Sequence, residues 1–171
     1  MAAETADPIA GEEDGRRDFD FLFGTWRVHN RTLRTASGGL GAEWAEFGAT
    51  LRSGPLLGGL GNLDQFSVKA MPDGRPLEAI ALRLFVPATR LWRITWASTG
   101  WPGHLDPPVE GRFTDGRGEF RGDDELNGQP IKVRFEWTGV TTSSPRWQQE
   151  FSFDGGQTWQ LNWIMELSRA G

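Results

Sequence analysis

The sequence contains no cysteine and no tyrosine. Without thiols there can be no disulfide, no thiolate nucleophile and no Cys-ligated zinc. Histidine is nearly absent: His29 and His104 are the only two, and neither sits in a carboxylate cluster, so no metal set is expected. Lysine is equally scarce, with Lys69 and Lys132 alone, so the basic side is carried by arginine. Formal net charge is −5, and no basic patch is interleaved with aromatics, which argues against a nucleic-acid partner. No apolar run approaches the roughly 18 residues of a membrane-spanning helix. Residues 1–17 are polar and acidic, without the basic start and apolar stretch of a signal peptide. The expectation is a soluble cytoplasmic protein with no membrane partner. A nucleophile triad, a phosphate-binding loop and a dinucleotide fingerprint are also missing.

What the chain has instead is aromatic mass: nine Trp and eleven Phe in 171 residues. Each ring buries roughly 150–250 Å², so most of them must line a core or a pocket. The length suits one domain with a substantial core. We read residues 1–17 as a disordered leader and residues 18–171 as a single β-barrel domain.

Asp18 to Phe23 is short and aromatic and ends at Gly24, which fits one helical turn plugging a barrel end. Beyond it no helical periodicity persists. About ten strand-like runs follow, near 25–35, 43–53, 62–71, 77–86, 91–98, 108–113, 117–125, 130–138, 146–153 and 158–168. Their separators are turn-formers, among them Pro72-Asp73-Gly74, Asp115-Gly116, Asn127-Gly128 and Asp154-Gly155-Gly156. Such turns make sequence neighbours pair antiparallel. An open meander of this length would leave two apolar edges, and pairing the first strand with the last removes both. The fold class is therefore an all-β, antiparallel up-and-down barrel of about ten strands.

Alternation indicates shared faces. Ile131, Val133, Phe135 and Trp137 form one; Trp92, Ile94 and Trp96 another; Trp159, Leu161, Trp163, Met165 and Leu167 the longest. Ala79, Ala81 and Phe85 oppose Ile80, Leu82, Leu84 and Val86, so the inward face of that strand stays open. Trp44 and Glu46 share a face; with Trp44 inward, Glu46 would be a buried carboxylate with a raised pKa. Arg83 and Arg134 lie within apolar runs and either face water or, if inward, pair with a carboxylate or a ligand anion. Asn30, on the Trp26 face, and Asn162, between Leu161 and Trp163, could orient a ligand in an apolar pocket. His29 falls opposite Trp26 and Val28, toward solvent, whereas His104 lies in a loop that could overhang a barrel mouth. Asp123-Asp124-Glu125 adjoins a turn, where carboxylates are ordinarily solvated, and lacks the spacing of a Ca²⁺ loop.

Several ordered motifs carry a resemblance. They are Phe19-Asp20-Phe21-Leu22-Phe23-Gly24-Thr25-Trp26, the stretch from Pro55 to Asp64, Leu82-Arg83-Leu84-Phe85, and Leu105-Asp106-Pro107-Pro108-Val109. The last is Phe151 to Trp159, followed by Asn162-Trp163. Together they resemble an uncharacterised bacterial domain-of-unknown-function family of calycin-like barrels, related to lipocalins, fatty-acid-binding proteins and nitrobindins. The resemblance implies a calycin-like fold and no particular activity. It also implies that Gly24 and Trp26 open the first strand and that a basic group near the chain end, here Arg169, packs across the Trp26 indole. The nitrobindin branch holds haem through a histidine near its closing strands; residues 146–169 contain none, so no cofactor is expected. Ser152, Asp154, Gly156, Thr158 and Trp159 also match an Asp-box hairpin. Its reading is structural: the Asp154 carboxylate accepts turn N–H groups, Gly156 supplies the backbone angle and Trp159 covers the hairpin.

Three functions remain open. The favoured one is binding of a small apolar or aromatic ligand, with Asn30, Trp44, Glu46, Arg83, Trp96, Arg134, Asn162 and Trp163 as pocket residues. A cofactor-free isomerase, cyclase or hydrolase would need a buried acid or base, for which Glu46 and His104 are the candidates. A structural or interaction protein would have a filled barrel. A pocket above about 300 Å³ separates the first two from the third.

Overall fold

The computed structural model describes residues 14–34 and 43–171. Residues 1–13 of the expected leader lie outside them. Residues 14–17 meet the barrel: the Gly15 carbonyl accepts a 2.9 Å hydrogen bond from Trp92 Nε1. A 3₁₀ turn at Asp20–Leu22 leads into ten strands. These are β1 (Gly24–Leu33), β2 (Trp44–Leu56), β3 (Gly61–Val68), β4 (Leu77–Val86) and β5 (Leu91–Ser98). The rest are β6 (Val109–Thr114), β7 (Arg117–Leu126), β8 (Gln129–Thr138), β9 (Arg146–Ser152) and β10 (Gln160–Arg169). Each strand pairs antiparallel with its sequence neighbours, and β1 pairs with β10 to close the barrel. The ten expected runs match the ten strands within three residues at every boundary. The hairpin chemistry explains the match: Asp115, Gly116, Asn127 and Gly128 all adopt positive φ at their turns.

One end of the barrel is filled. Phe19 and Leu22, from the 3₁₀ turn, are fully buried with Trp92, Phe120 and Leu167. Phe19 meets Trp92 and Phe113 edge-on at 5.1 and 5.0 Å between ring centroids. Trp26 Nε1 donates to the Leu22 carbonyl at 2.7 Å, which ties the plug to β1. Arg169 faces Trp26 across the closing ladder. Its guanidinium lies 3.8 Å from the indole centroid and donates to the Phe23 and Phe21 carbonyls at 2.6 and 3.2 Å. Gly24 is required there. Its φ is +117°, and a Cβ would stand 2.6 Å from Arg169 Nη1.

Strand β4 resolves the face that alternation left open. Ala79, Ala81, Arg83 and Phe85 point inward, while Ile80 and Leu84 are exposed. The small alanines leave interior volume that larger side chains would have filled. The stripe expected through Trp159 and Leu161 is broken by a β-bulge between Leu161 and Trp163. The extra residue reverses the alternation, so Trp163, Met165 and Leu167 line the interior and Trp159 lies outside. There Trp159 is flanked by the guanidinium groups of Arg134 and Arg121, at 4.3 and 5.5 Å from its ring.

Candidate functional site

Above the plug the barrel interior holds a cavity of about 210 Å³. It is walled by rings from five strands, chiefly Phe66, Trp96, Phe135, Trp147 and Trp163. The rings fix one another edge-to-face: Trp163 lies 6.0 Å from Trp96 and 5.6 Å from Trp147, at 80° and 85°. Asn30 supports the central ring from below. Its Oδ1 accepts from Trp163 Nε1 at 3.0 Å, and Asn30 is 0% exposed. The bulge residue Asn162 accepts through Oδ1 from Gln149, a cavity-lining side chain, at 2.8 Å.

The cavity floor is polar. Arg83, 4% exposed, donates through Nη2 to Asp64 Oδ2 at 2.6 Å and through Nη1 to Asn62 Oδ1 at 3.0 Å. The β2–β3–β4 register creates this group: Ser53 faces Asp64, and Asn62 faces Arg83. The Arg83 guanidinium also lies 4.6 Å above the Phe19 ring, which seats it on the plug. Four atoms of the group are buried without a hydrogen-bond partner: Ser53 Oγ, Asn62 Nδ2, Asp64 Oδ1 and Arg83 Nε. Orphaned buried polar atoms of this kind are costly unless a water or ligand meets them.

The mouth is acidic. The short β6 pairs with β5 only from Trp92 to Ile94, and the chain entering β6 brings Asp106 and Pro107 to the cavity rim. The loop is pinned where the Asp106 amide donates to the Trp96 carbonyl at 2.9 Å and Thr95 Oγ1 donates to the Asp106 carbonyl at 2.6 Å. Asp123 and Asp124 of β7 complete the rim. Lys132 neutralises Asp123 at 2.7 Å. Partial burial raises the Asp106 pKa above the usual carboxylate range, and the Asp124 charge adds to the rise. His104, 3.3 Å away, opposes both. His104 stacks on Trp101 at 3.6 Å beside the rim.

The structure gathers Arg83, Trp96 and Trp163 at the cavity and places Asn30 and Asn162 directly behind its walls. Trp44, Glu46 and Arg134 are elsewhere, which corrects the sequence expectation. On β2 the inward face is Ala45, Phe47, Ala49 and Leu51, so Trp44 points outward and is 42% exposed. Glu46 stands in an outer-surface charge cluster, 3.0 Å from His29, with Glu166 and Arg31 alongside. Arg134 is also outside, donating to Glu150 at 2.6 Å. The sequence reading missed Ser53, Asn62, Asp64 and Asp106, and it took Asp124, which lines the cavity, for a solvated turn carboxylate. A signal for two of them existed: Asn62 and Asp64 alternate in phase with Phe66 and Val68 on β3. Among the described residues no group of three or more His, Cys, Asp or Glu could hold a metal. No helix among them is long and apolar enough to cross a membrane.

No family model matches the chain, and no curated protein matches it by sequence. Among solved structures it is similar to the S-type phycobiliprotein lyase CPES from Guillardia theta, at 9% sequence identity. The alignment covers 96% of this chain and 99% of that one, with a TM-score of 0.58. The likeness is one of architecture: the chain is a closed, calycin-like antiparallel β-barrel.

Proposed function

We propose that the protein binds a compact, largely aromatic small molecule in the upper half of its barrel. The observation that carries this reading is an aromatic-walled cavity floored by the buried Arg83–Asp64 pair. Its volume, about 210 Å³, falls below the roughly 300 Å³ that separates a binding barrel from a filled one, so the reading rests on the cavity's aromatic lining and not on its size. An apolar cavity of about 150 Å³ already holds benzene. One or two fused rings therefore fit, and a long acyl chain does not. A phycobiliprotein lyase built on a similar barrel supports a working cavity, without carrying its reaction over to this chain. The motif resemblance adds a bacterial setting to the reading. The enzyme alternative rests on the rim pair His104 and Asp106, a carboxylate with a raised pKa beside an imidazole.

The test is isothermal titration with naphthalen-2-ylmethanol, a neutral two-ring probe, together with native mass spectrometry for a co-purified molecule. The expected result is saturable one-to-one binding that Ala81→Leu, which fills the cavity wall, weakens while the barrel stays folded. Unsaturable binding, or binding indifferent to Ala81→Leu, overturns the reading.

A further inference from the structure

Accepting that the cavity binds a compact aromatic, its charges specify which kind. Among the described residues the one cation lining the cavity is Arg83, and Asp64 already neutralises it at 2.6 Å. The pair leaves no net positive charge at the floor to attract a ligand carboxylate. Four carboxylates line the same space: Asp64 at the floor and Asp106, Asp123 and Asp124 at the rim, with Asp123 paired to Lys132. Among the described residues, neither Asp106 nor Asp124 has an arginine or lysine in ion-pair contact. Asp106 meets only His104, and Asp124 accepts the Glu125 amide at 2.7 Å. Asp64 Oδ1, in a side chain almost wholly buried, also lacks a donor. Between floor and rim stand the faces and edges of Trp96, Trp147 and Trp163. Ring faces carry negative quadrupole charge, and cages of such rings attract cations.

We infer that the cavity selects aromatic amines in their protonated form, with the ring system among the tryptophans and the ammonium group between Asp106 and Asp124. An aromatic carboxylate of equal size is rejected. It would meet two like charges at the rim and no unpaired cation inside. The selection is a matter of charge and separate from ring binding itself, so the two can fail separately.

The experiment compares three probes of one shape at neutral pH: naphthalen-2-ylmethylamine, naphthalen-2-ylmethanol and 2-naphthoate. Dissociation constants are measured by isothermal titration on the full chain and on the Asp106→Asn/Asp124→Asn double variant, with near-UV circular dichroism confirming its fold. For the native chain the amine should bind about tenfold more tightly than the alcohol, and the carboxylate more weakly than either. In the double variant the amine's advantage over the alcohol should vanish. Added salt should erode the amine's advantage in the native chain. The charge inference is overturned if the alcohol binds and the amine is no tighter, if the carboxylate is the tightest, or if the double variant keeps the preference. Failure of all three probes to bind overturns the underlying binding reading with it. Should the double variant not fold, Asp124→Asn alone is expected to reduce the preference, and an unchanged ratio there also overturns the inference.

Discussion

Asp64 and Arg83 are buried as a pair, and each makes the other tolerable. Removing water from two charges costs about as much as their attraction returns, whereas removing one partner strands the other. Arg83→Met alone should therefore cost about 3–5 kcal/mol in urea unfolding. Arg83→Met combined with Asp64→Leu should recover most of that loss; equal losses in the single and double variants would contradict the pairing. Asp106 gives the opposite behaviour. Its folded pKa is raised, first by desolvation and then by Asp124, so its ionisation opposes folding. That penalty is absent below the unfolded value of about 3.9 and complete above the raised one. Asp106→Asn should raise the melting temperature at pH 7 and leave it unchanged below about pH 4. A thermal scan across pH decides it. These residues mark the limit of what the sequence disclosed. Arg83 stood out because a charge interrupted an apolar run. Its partner did not, because Asp64 lies 19 positions earlier and only the β3–β4 register brings them together. Trp44 and Glu46 misled because one tryptophan outweighed the quieter face of Ala45, Phe47, Ala49 and Leu51.

Individual strands and turns were the most legible level, since turn chemistry and period-two alternation are local. The bulge at Asn162 was not legible: one inserted residue changes no composition, yet it turns Trp159 outward and Trp163 inward. The hairpin from β9 to β10 shows local chemistry carried to completion. Asp154 accepts from Thr158 Oγ1 at 2.6 Å, the Thr158 amide at 2.8 Å, Ser152 Oγ at 2.8 Å and the Gln157 amide at 3.0 Å. The Thr158 bonds foremost hold its pKa at about 2. A depressed carboxylate stabilises the fold above its unfolded value, about 3.9, and loses that contribution as pH falls toward the folded one. The difference in urea midpoint between native and Asp154→Ala proteins should be constant from pH 5 to 7 and shrink toward zero near pH 2. The β6–β7 pair depends on a missing side chain. A Cβ at Gly111 would stand 1.8 Å from the Glu119 carbonyl oxygen and 2.7 Å from Phe120 Cα. Because those are backbone atoms, Gly111→Ala should cost about 3 kcal/mol, read as a lowered denaturation midpoint. An unchanged midpoint would mean that the two strands are farther apart than described.

At the scale of the molecule, closure was foreseeable because two apolar edges in water are untenable. The cavity was not, because its volume depends on where Ala79 and Ala81 sit among larger neighbours. Nine of the barrel's ten seams join strands adjacent in sequence. The tenth joins residues as far apart as Trp26 and Arg169. Bringing together ends separated by some 140 residues rather than a few costs about 3 kcal/mol more in chain entropy. The seam with the greatest entropic cost should form last, after the hairpins have condensed. The Arg169 contact with Trp26 should then be absent from the transition state. Arg169→Ala, expected to cost about 1–2 kcal/mol, should speed unfolding in stopped-flow measurements and leave the refolding rate nearly unchanged. Val133→Ala, within the local β7–β8–β9 meander, should instead slow refolding. An arginine that changes the equilibrium constant modestly would thereby set how long the barrel stays shut.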